Sequence, residues 1–149
     1  MDNESKVVRD LRHLLADTYV LYTKTQNFHW NVTGELFFML HAAFEKQYEA
    51  LADAVDVLAE RLRALNVVAP GTFTKFEKLA GIKFDDEIPP AQEMIRELLA
   101  NHEHLIDELQ SMIKNAEEEG DQSTMDLMIE RQTEHQKTAW MLRSSLNAQ

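Results

Sequence analysis

The spacing of apolar residues constrains this chain more than any other feature of its sequence. Apolar residues recur every three or four positions along four long segments, the period of a helix buried on one side. Only 4 Gly and 3 Pro occur in 149 residues, so few positions favour a break in a helix. The pattern therefore predicts four long helices, at roughly residues 4–30, 35–65, 89–118 and 123–146.

The segments between these helices carry residues that are typical of turns. Asn31 to Gly34 reads NVTG, NVVAPG ends the second helix, and EEEGDQ separates the third helix from the fourth. The two prolines of FDDEIPPAQ suit the first turn of the third helix, and Ser123 to Asp126 resembles a capping box opening the fourth. A short amphipathic piece, TFTKFEKLA, ends at Gly81. The fold class is thus all-α: a four-helix bundle with a short extra helix in the crossover between helices 2 and 3.

Length, charge and cysteine content narrow the classes of function. The length fits a single domain, 1–149. The formal net charge of -11 disfavours nucleic acid and anionic membranes and suits a protein that handles cations. The absence of cysteine excludes disulfides and thiolate metal sites. The opening MDNESKVVRD lacks the charge pattern of a signal peptide, so we expect a soluble cytoplasmic protein with no membrane partner.

Two histidines and two carboxylates form a polar quartet among apolar residues. His29 and His41 are twelve residues apart, while Asp56 and Glu60 are spaced i, i+4 on one helical face. Imidazole nitrogens with carboxylate oxygens suit Fe, Mn or Zn. The alternative is an ordinary solvated acidic pair beside packed histidines, and spacing alone leaves both interpretations open.

The length of a helix determines whether one chain could supply all four ligands to a single metal site. His41 and Asp56 lie 15 residues apart on one predicted helix, or roughly 22 Å, too far for one small metal cluster. A two-fold axis near residues 49–51 would place His41 of one subunit opposite Asp56 and Glu60 of another. A di-iron site inside one bundle predicts Glu-x-x-His motifs, and the sequence contains none.

The stretch FHWNVTGELFFMLHAAFEKQYEALADAVDVLAERLRAL resembles the signature of the Dps-type miniferritins, the ferritin-like family of DNA-binding proteins from starved cells. The elements in common are His-Trp-x-x-x-Gly, a second His twelve residues after the first, and Asp-x-x-x-Glu ending in Ala-Glu-Arg. The resemblance covers nearly the whole chain. It includes the short helix after Pro70, the EEEGD before the last helix, and Trp140–Met141.

The resemblance implies a ferroxidase and iron store in a dodecameric shell of ferritin-like four-helix subunits. His29 and His41 would come from one subunit, with Glu45 beside them, and Asp56 and Glu60 from its neighbour. Fe(II) would be oxidised, preferably by hydrogen peroxide, and ferric oxyhydroxide stored inside. Pairing two irons with one peroxide avoids the release of hydroxyl radical, so the family protects against oxidative stress.

The resemblance also suggests roles for further side chains. Trp30 and Tyr48 are candidates for relaying electrons, and buried packing at an interface explains them equally well. Asp121, Asp126 and Glu130 fall where the family has three-fold pores for iron entry, although Asp126 also suits a helix cap. The other histidines have no matching partner set, so we interpret them as surface or packing residues: His13, His102, His104 and His135.

Two other classes of function compete with the ferroxidase. A nucleoid-binding shell needs local positive charge, yet Lys6 and Arg9 are balanced by nearby acids and RSSLNAQ carries one Arg. We therefore expect DNA binding to be weak at neutral pH. A non-catalytic oligomer recognised by a partner is the other alternative. The sequence does not specify the preferred oxidant, the size of the iron core or any host-cell partner.

Overall fold

The computed structural model describes residues 4–146, and within them the chain forms five helices and no strand. The first two helices pack along each other, as do the last two, and contacts between α1 and α4 join the pairs. The predicted four-helix bundle with a short extra helix in the crossover is confirmed. The helices are α1 (Lys6–Asn31), α2 (Phe37–Ala64), α3 (Phe73–Leu79), α4 (Ala91–Glu118) and α5 (Gln122–Ser144).

Side-chain caps set three of the helix starts. Ser5 accepts a hydrogen bond from the backbone N–H of Val8 before α1, and Thr72 does the same for Lys75 before α3. Asp121 caps α5 by accepting from the backbone N–H of Thr124, so the predicted capping box at Ser123 was wrong. An Asp two residues earlier satisfies the same free N–H groups of the first turn, so Ser123 lies inside the helix.

Backbone conformation explains where the helices end. Gly34 has φ 98° in the turn after α1, and Gly120 has φ 73° in the turn after α4. A side chain is disfavoured in this left-handed region, so glycine suits both turns. Asn66, with φ 65°, makes the equivalent turn after α2. The predicted start of α4 was less accurate, because Pro90 is the N-cap residue of α4 and not part of its first turn.

The core lies between the four long helices. Leu14, Phe44, Leu58, Leu105 and Leu109 are completely inaccessible to solvent, and they come from α1, α2 and α4. This burial of apolar side chains is the main force that holds such a bundle together. None of the helices within 4–146 is long and apolar enough to cross a membrane.

Several large apolar side chains remain outside this core. Phe38 is 87% exposed at the start of α2, and Trp30 is 64% exposed at the end of α1. Phe73 of α3 is similarly uncovered, although its neighbour Phe76 stacks on Tyr19 at 4.5 Å. Trp30 and Phe73 line the same cavity. Exposed aromatic side chains that share a surface are typical of a site that another protein chain covers.

Candidate metal centre

The turn between α1 and α2 brings His29 and His41 into direct contact. Their rings stack with centroids 3.8 Å apart. The Nδ1 atom of each ring lies 2.7 Å from the backbone carbonyl oxygen of the other histidine, so each donates its Nδ1 hydrogen to that oxygen. This reciprocal bonding fixes both ring orientations and leaves both Nε2 atoms as acceptors. Metal-binding histidines are commonly held in this way.

Further polar and aromatic side chains surround the histidine pair. Glu45 follows His41 by one helical turn and is exposed. The Tyr48 ring meets the His29 ring edge-on at 5.1 Å. Desolvation raises the pKa of Tyr48, and the negative charges of Glu45 and Glu49 raise it further. Trp30 follows His29 directly in the sequence, is largely exposed and lines a cavity with Phe73. Of the two candidate relay residues, Tyr48 is therefore the one shown in contact with a histidine ring.

Asp56 and Glu60 form a carboxylate pair in the second half of α2. Both side chains are exposed. A hydrogen bond that protonated Glu60 donates to the Asp56 carboxylate raises the pKa of Glu60, and repulsion between the two negative charges raises it further. Two carboxyl groups this close compete for protons, and they also offer adjacent oxygen ligands to a cation.

The structure does not bring the two halves of the quartet together in one chain. His41 and Asp56 lie on the same uninterrupted helix, Phe37–Ala64. At a rise of 1.5 Å per residue, they are separated by about 22 Å. His41, Glu45, Asp56 and Glu60 nonetheless fall within about 100° of arc on the helix. All four side chains therefore leave α2 on one face.

Comparison with known proteins shows the family to which the chain belongs. The ferritin-like domain family matches residues 8–148. The DNA protection during starvation protein of Helicobacter pylori is 37% identical over 142 residues, which are 95% of this chain and 99% of that protein. The chain belongs to the ferritin-like family as a Dps-type miniferritin.

Solved structures of other miniferritins have the same fold as this one. Dps from Staphylococcus aureus superposes with a TM-score of 0.95 at 34% identity, covering 100% of both chains. A Dps protein from Vibrio cholerae, described as a member of a broad superfamily of ferritin-like diiron-carboxylate proteins, has a TM-score of 0.89 at 33% identity. That match covers 93% of this chain and 87% of the other. The predicted ferritin-like fold class is confirmed.

The three acids assigned to an iron-entry pore have different surroundings in this miniferritin. Asp121 caps α5 and accepts a hydrogen bond from Arg61 at 3.0 Å. Burial acts to raise the pKa of Asp121, but hydrogen bonds from Thr124 and the charge of Arg61 lower it overall. Asp126 and Glu130 are exposed one turn apart on α5. The capping function predicted as an alternative for Asp126 belongs to Asp121.

A polar cluster between α1 and α4 was missed by the sequence analysis. His13, which was predicted to lack partners, lies 2.9 Å from a Glu108 oxygen and 3.1 Å from an Asp17 oxygen. His104, also predicted to be unpartnered, lies 3.0 Å from the other Glu108 oxygen. The available signal was the repeat of His-x-x-x-acid on two helices, at 13–17 and 104–108. Only the packing of α1 on α4 shows that the pairs meet.

The remaining two histidines are buried packing residues, as predicted, and they contact each other. His102 and His135 are each 1% exposed, and their Nδ1 atoms are 2.9 Å apart. Burial lowers the pKa of His102 to about 3, with a smaller effect of the Arg131 charge. Burial also lowers the pKa of His135 well below its ordinary value, followed by effects of His102 and Arg131. Both rings are therefore neutral at physiological pH.

Proposed function

We propose that this miniferritin oxidises Fe(II) with hydrogen peroxide and stores the ferric product inside a closed shell. In this proposal the ferroxidase centres lie between subunits. The histidine pair comes from one subunit and the carboxylate pair from its two-fold neighbour. The observation that carries the proposal is the placement of the possible ligands along one uninterrupted helix, α2. The histidine side and the carboxylate pair leave the same face of α2, yet His41 and Asp56 are about 22 Å apart.

Two copies of α2 that cross antiparallel bring the halves together. With a two-fold axis near residues 49–51, His41 of each copy lies opposite Asp56 and Glu60 of the other. Each pair of subunits then has two identical centres, one toward each end of the paired helices. The exposed Trp30 and Phe38 lie beside the histidines, where a neighbouring subunit would cover them. Their exposure in a single subunit supports an interface at this position.

The donor atoms fit iron as the substrate. The Nε2 atoms of His29 and His41 are held ready by the bonds at Nδ1. The carboxylates of Glu45, Asp56 and Glu60 supply the hard oxygen ligands that iron also accepts. Their negative charge offsets the charge of the bound cations and stabilises Fe(III) more strongly than Fe(II).

The reaction follows from the pairing of two iron ions with one peroxide. Each Fe(II) gives one electron, the O–O bond breaks, and two protons are taken up, so the products are two Fe(III) and two waters. Because both electrons are delivered together, no hydroxyl radical is released. Removing Fe(II) and peroxide in one step fits the names of the relatives, which refer to DNA protection during starvation. Protection in this chain would then come from chemistry and would not require DNA binding.

Storage requires an enclosed volume and a route for cations to enter it. We propose the dodecameric shell that is typical of the family, with iron passing the exposed carboxylates of Asp126 and Glu130. Negative charge around a narrow opening raises the local concentration of cations and the rate at which they enter. The formal net charge of -11 on each subunit acts in the same direction.

The first test is anaerobic loading of the purified protein with Fe(II), followed by hydrogen peroxide, with ferric oxide absorbance as the readout. The wild-type protein should consume one peroxide for every two irons and form a soluble ferric product. His41→Ala should lower the initial rate by about a hundredfold, because metal affinity depends strongly on each ligand. Asp53→Asn is the matched control, since Asp53 is an exposed acid of α2 outside the proposed set.

The second test distinguishes a shared site from a site within one chain. His41→Ala and Asp56→Ala subunits are unfolded together and refolded as a mixture. In each mixed dimer, one centre contains both substitutions and the other centre contains neither, so one of the two centres is intact. With random pairing, half of the dimers are mixed, so the mixture should recover about a quarter of wild-type activity.

Variants that are refolded separately and then combined provide the control and should stay inactive. Native mass spectrometry measures the fraction of mixed dimers. If mixed dimers are present and the activity does not recover, the centre is not shared between subunits, and the proposed arrangement is wrong.

A further inference from the structure

The cluster of His13, Asp17, His104 and Glu108 is separate from the proposed ferroxidase centre. Asp17 and His29 lie twelve residues apart on α1, or about 18 Å along the helix. The cluster joins one His-x-x-x-acid pair on α1 to another on α4. Within residues 4–146, one group of three possible metal ligands has its ligand atoms close together: His13, Asp17 and Glu108.

Asp17 turns one buried carboxylate oxygen toward the cluster. The side chain is fully buried. Its Oδ1 atom accepts from the backbone N–H groups of Gly81, at 2.7 Å, and Ile82, at 2.9 Å. Its Oδ2 atom accepts no such backbone hydrogen bond and lies 3.1 Å from His13 Nε2. Burying a carboxylate is costly unless its charge is compensated, so a cation beside Oδ2 would lower the free energy of the folded state.

The orientation of His13 also suits a metal ligand. Its Nδ1 atom lies 2.8 Å from the carbonyl oxygen of Leu79, which accepts the Nδ1 hydrogen. The ring is thereby fixed with Nε2 directed at Asp17 and Glu108. A backbone carbonyl that holds the remote nitrogen of a histidine is a common support for metal ligands.

Glycine at position 81 allows the crossover segment to lie against both imidazoles. A Cβ atom at Gly81 would be 3.3 Å from His13 Cε1 and 3.5 Å from His104 Nε2. The segment that supplies Leu79, Gly81 and Ile82 therefore closes one side of the cluster. An ion at this position would connect α1, α4 and the crossover.

We propose that His13, Asp17, His104 and Glu108 form a second metal site in each subunit, which takes one zinc ion or a similar divalent transition-metal ion. Two nitrogens and two oxygens around one centre suit tetrahedral zinc, whereas magnesium and calcium require mainly oxygen ligands. The ligands of tetrahedral zinc lie about 3.3 Å from one another. The ligand atoms of His13, Asp17 and Glu108 lie within 4.8 Å of one another. His104, which lies 3.0 Å from Glu108 Oε1, would move inward to complete the tetrahedron.

Asp17 and Glu108 bring two carboxylate charges into the cluster, and a divalent ion would balance both. The ion should stabilise the fold because it binds only when the two helices and the crossover are assembled.

The test measures zinc binding to metal-free protein that lacks the proposed ferroxidase ligands. A His41→Ala, Asp56→Ala background removes that competing site. Equilibrium dialysis with zinc chloride should give about one zinc per subunit. Adding Glu108→Gln should weaken binding by more than about tenfold, and so should adding His104→Ala. Glu103→Gln is the matched control, because Glu103 is exposed on the same helix and pairs with Arg143 outside the cluster.

Urea unfolding with and without zinc chloride then measures how far the ion stabilises the fold. Far-UV circular dichroism confirms that each variant is folded; Glu108 and His104 are both solvent-accessible, so their substitution leaves the core intact. Stabilisation of the background by zinc, reduced by Glu108→Gln, supports an ion bound between α1 and α4. The proposal is overturned if the background binds no zinc, if Glu108→Gln binds zinc as tightly as the background, or if zinc does not stabilise the background against urea. None of these readouts depends on iron oxidation, so the test is independent of the proposed ferroxidase.

Discussion

The buried pair of His102 and His135 should make the fold sensitive to acid. Arg131 lies 3.4 Å from His135 Nε2, so that nitrogen is the acceptor and His135 carries its hydrogen on Nδ1. That hydrogen is donated to His102 Nδ1, and His102 carries its own hydrogen on Nε2, which has no hydrogen-bond partner. Either ring gains a proton only by placing a positive charge in the core beside Arg131. Protonation and folding therefore compete.

The size of the effect follows from the pKa of His102. Its value is about 3 in the folded state, and about 6.5 is ordinary for an unfolded chain. A lowered pKa means that the unfolded state binds the proton more readily than the folded state does. The contribution of neutral His102 to the free energy of unfolding is therefore fully present above about pH 6.5 and is lost as the pH drops toward 3. Between pH 7 and pH 5, His102 alone should lower the free energy of unfolding by about 2 kcal/mol. The pKa of His135 is lowered as well, so its contribution has the same sign.

The assay compares the pH dependence of wild type and His102→Leu by urea unfolding at one fixed protein concentration. Carboxylates elsewhere titrate in both proteins and cancel in the difference. Relative to wild type, the variant should gain about 2 kcal/mol between pH 7 and pH 5. Gln47→Leu is the matched control, since Gln47 lines the same cavity as His102 and does not titrate. If wild type and His102→Leu have the same pH dependence, the buried histidine is not the acid-sensitive group.

Three further predictions concern the cap of α5, the assembly and DNA. Asp121→Ala should lower the free energy of unfolding by about 1–2 kcal/mol in urea titrations, because α5 loses its cap and Arg61 loses its partner, while Asp126→Ala should have little effect. Analytical ultracentrifugation near neutral pH should show a shell of twelve subunits, and finding only monomers or dimers would contradict the storage function. Gel shifts at about 150 mM salt without divalent cations should show no strong duplex DNA binding, and sub-micromolar affinity there would refute the argument from net charge.

Apolar periodicity was sufficient to predict the helices because each long helix buries one stripe of its surface. The turns between helices could also be predicted from the sequence, because Gly34, Asn66 and Gly120 adopt backbone conformations that few other residues tolerate. The start of α5 was placed wrongly because Asp121 and Ser123 both suit a cap, and local sequence does not rank them. That residues 1–149 form a single domain remains a prediction.

The candidate sites could be predicted from the sequence less completely than the helices. The 22 Å separation along α2 followed from sequence alone, because helix rise is constant. The stacked contact of His29 with His41 could be anticipated only roughly, since it depends on the path of the turn between them. The cluster of His13 and Glu108 could not be found, because nothing local to either segment indicates that α1 and α4 pack with those turns aligned.

Under the proposed function, assembly itself controls the chemistry. A single subunit has the histidine pair at one end of α2 and the carboxylate pair at the other, so neither half alone provides a complete centre. Fe(II) bound by one half would meet peroxide without a partner iron, and one-electron reduction of peroxide releases hydroxyl radical. Dividing the ligands between subunits prevents this reaction until two copies of α2 have paired. The same pairing covers the exposed Trp30 and Phe38, so the free energy that assembles the interface also completes the site.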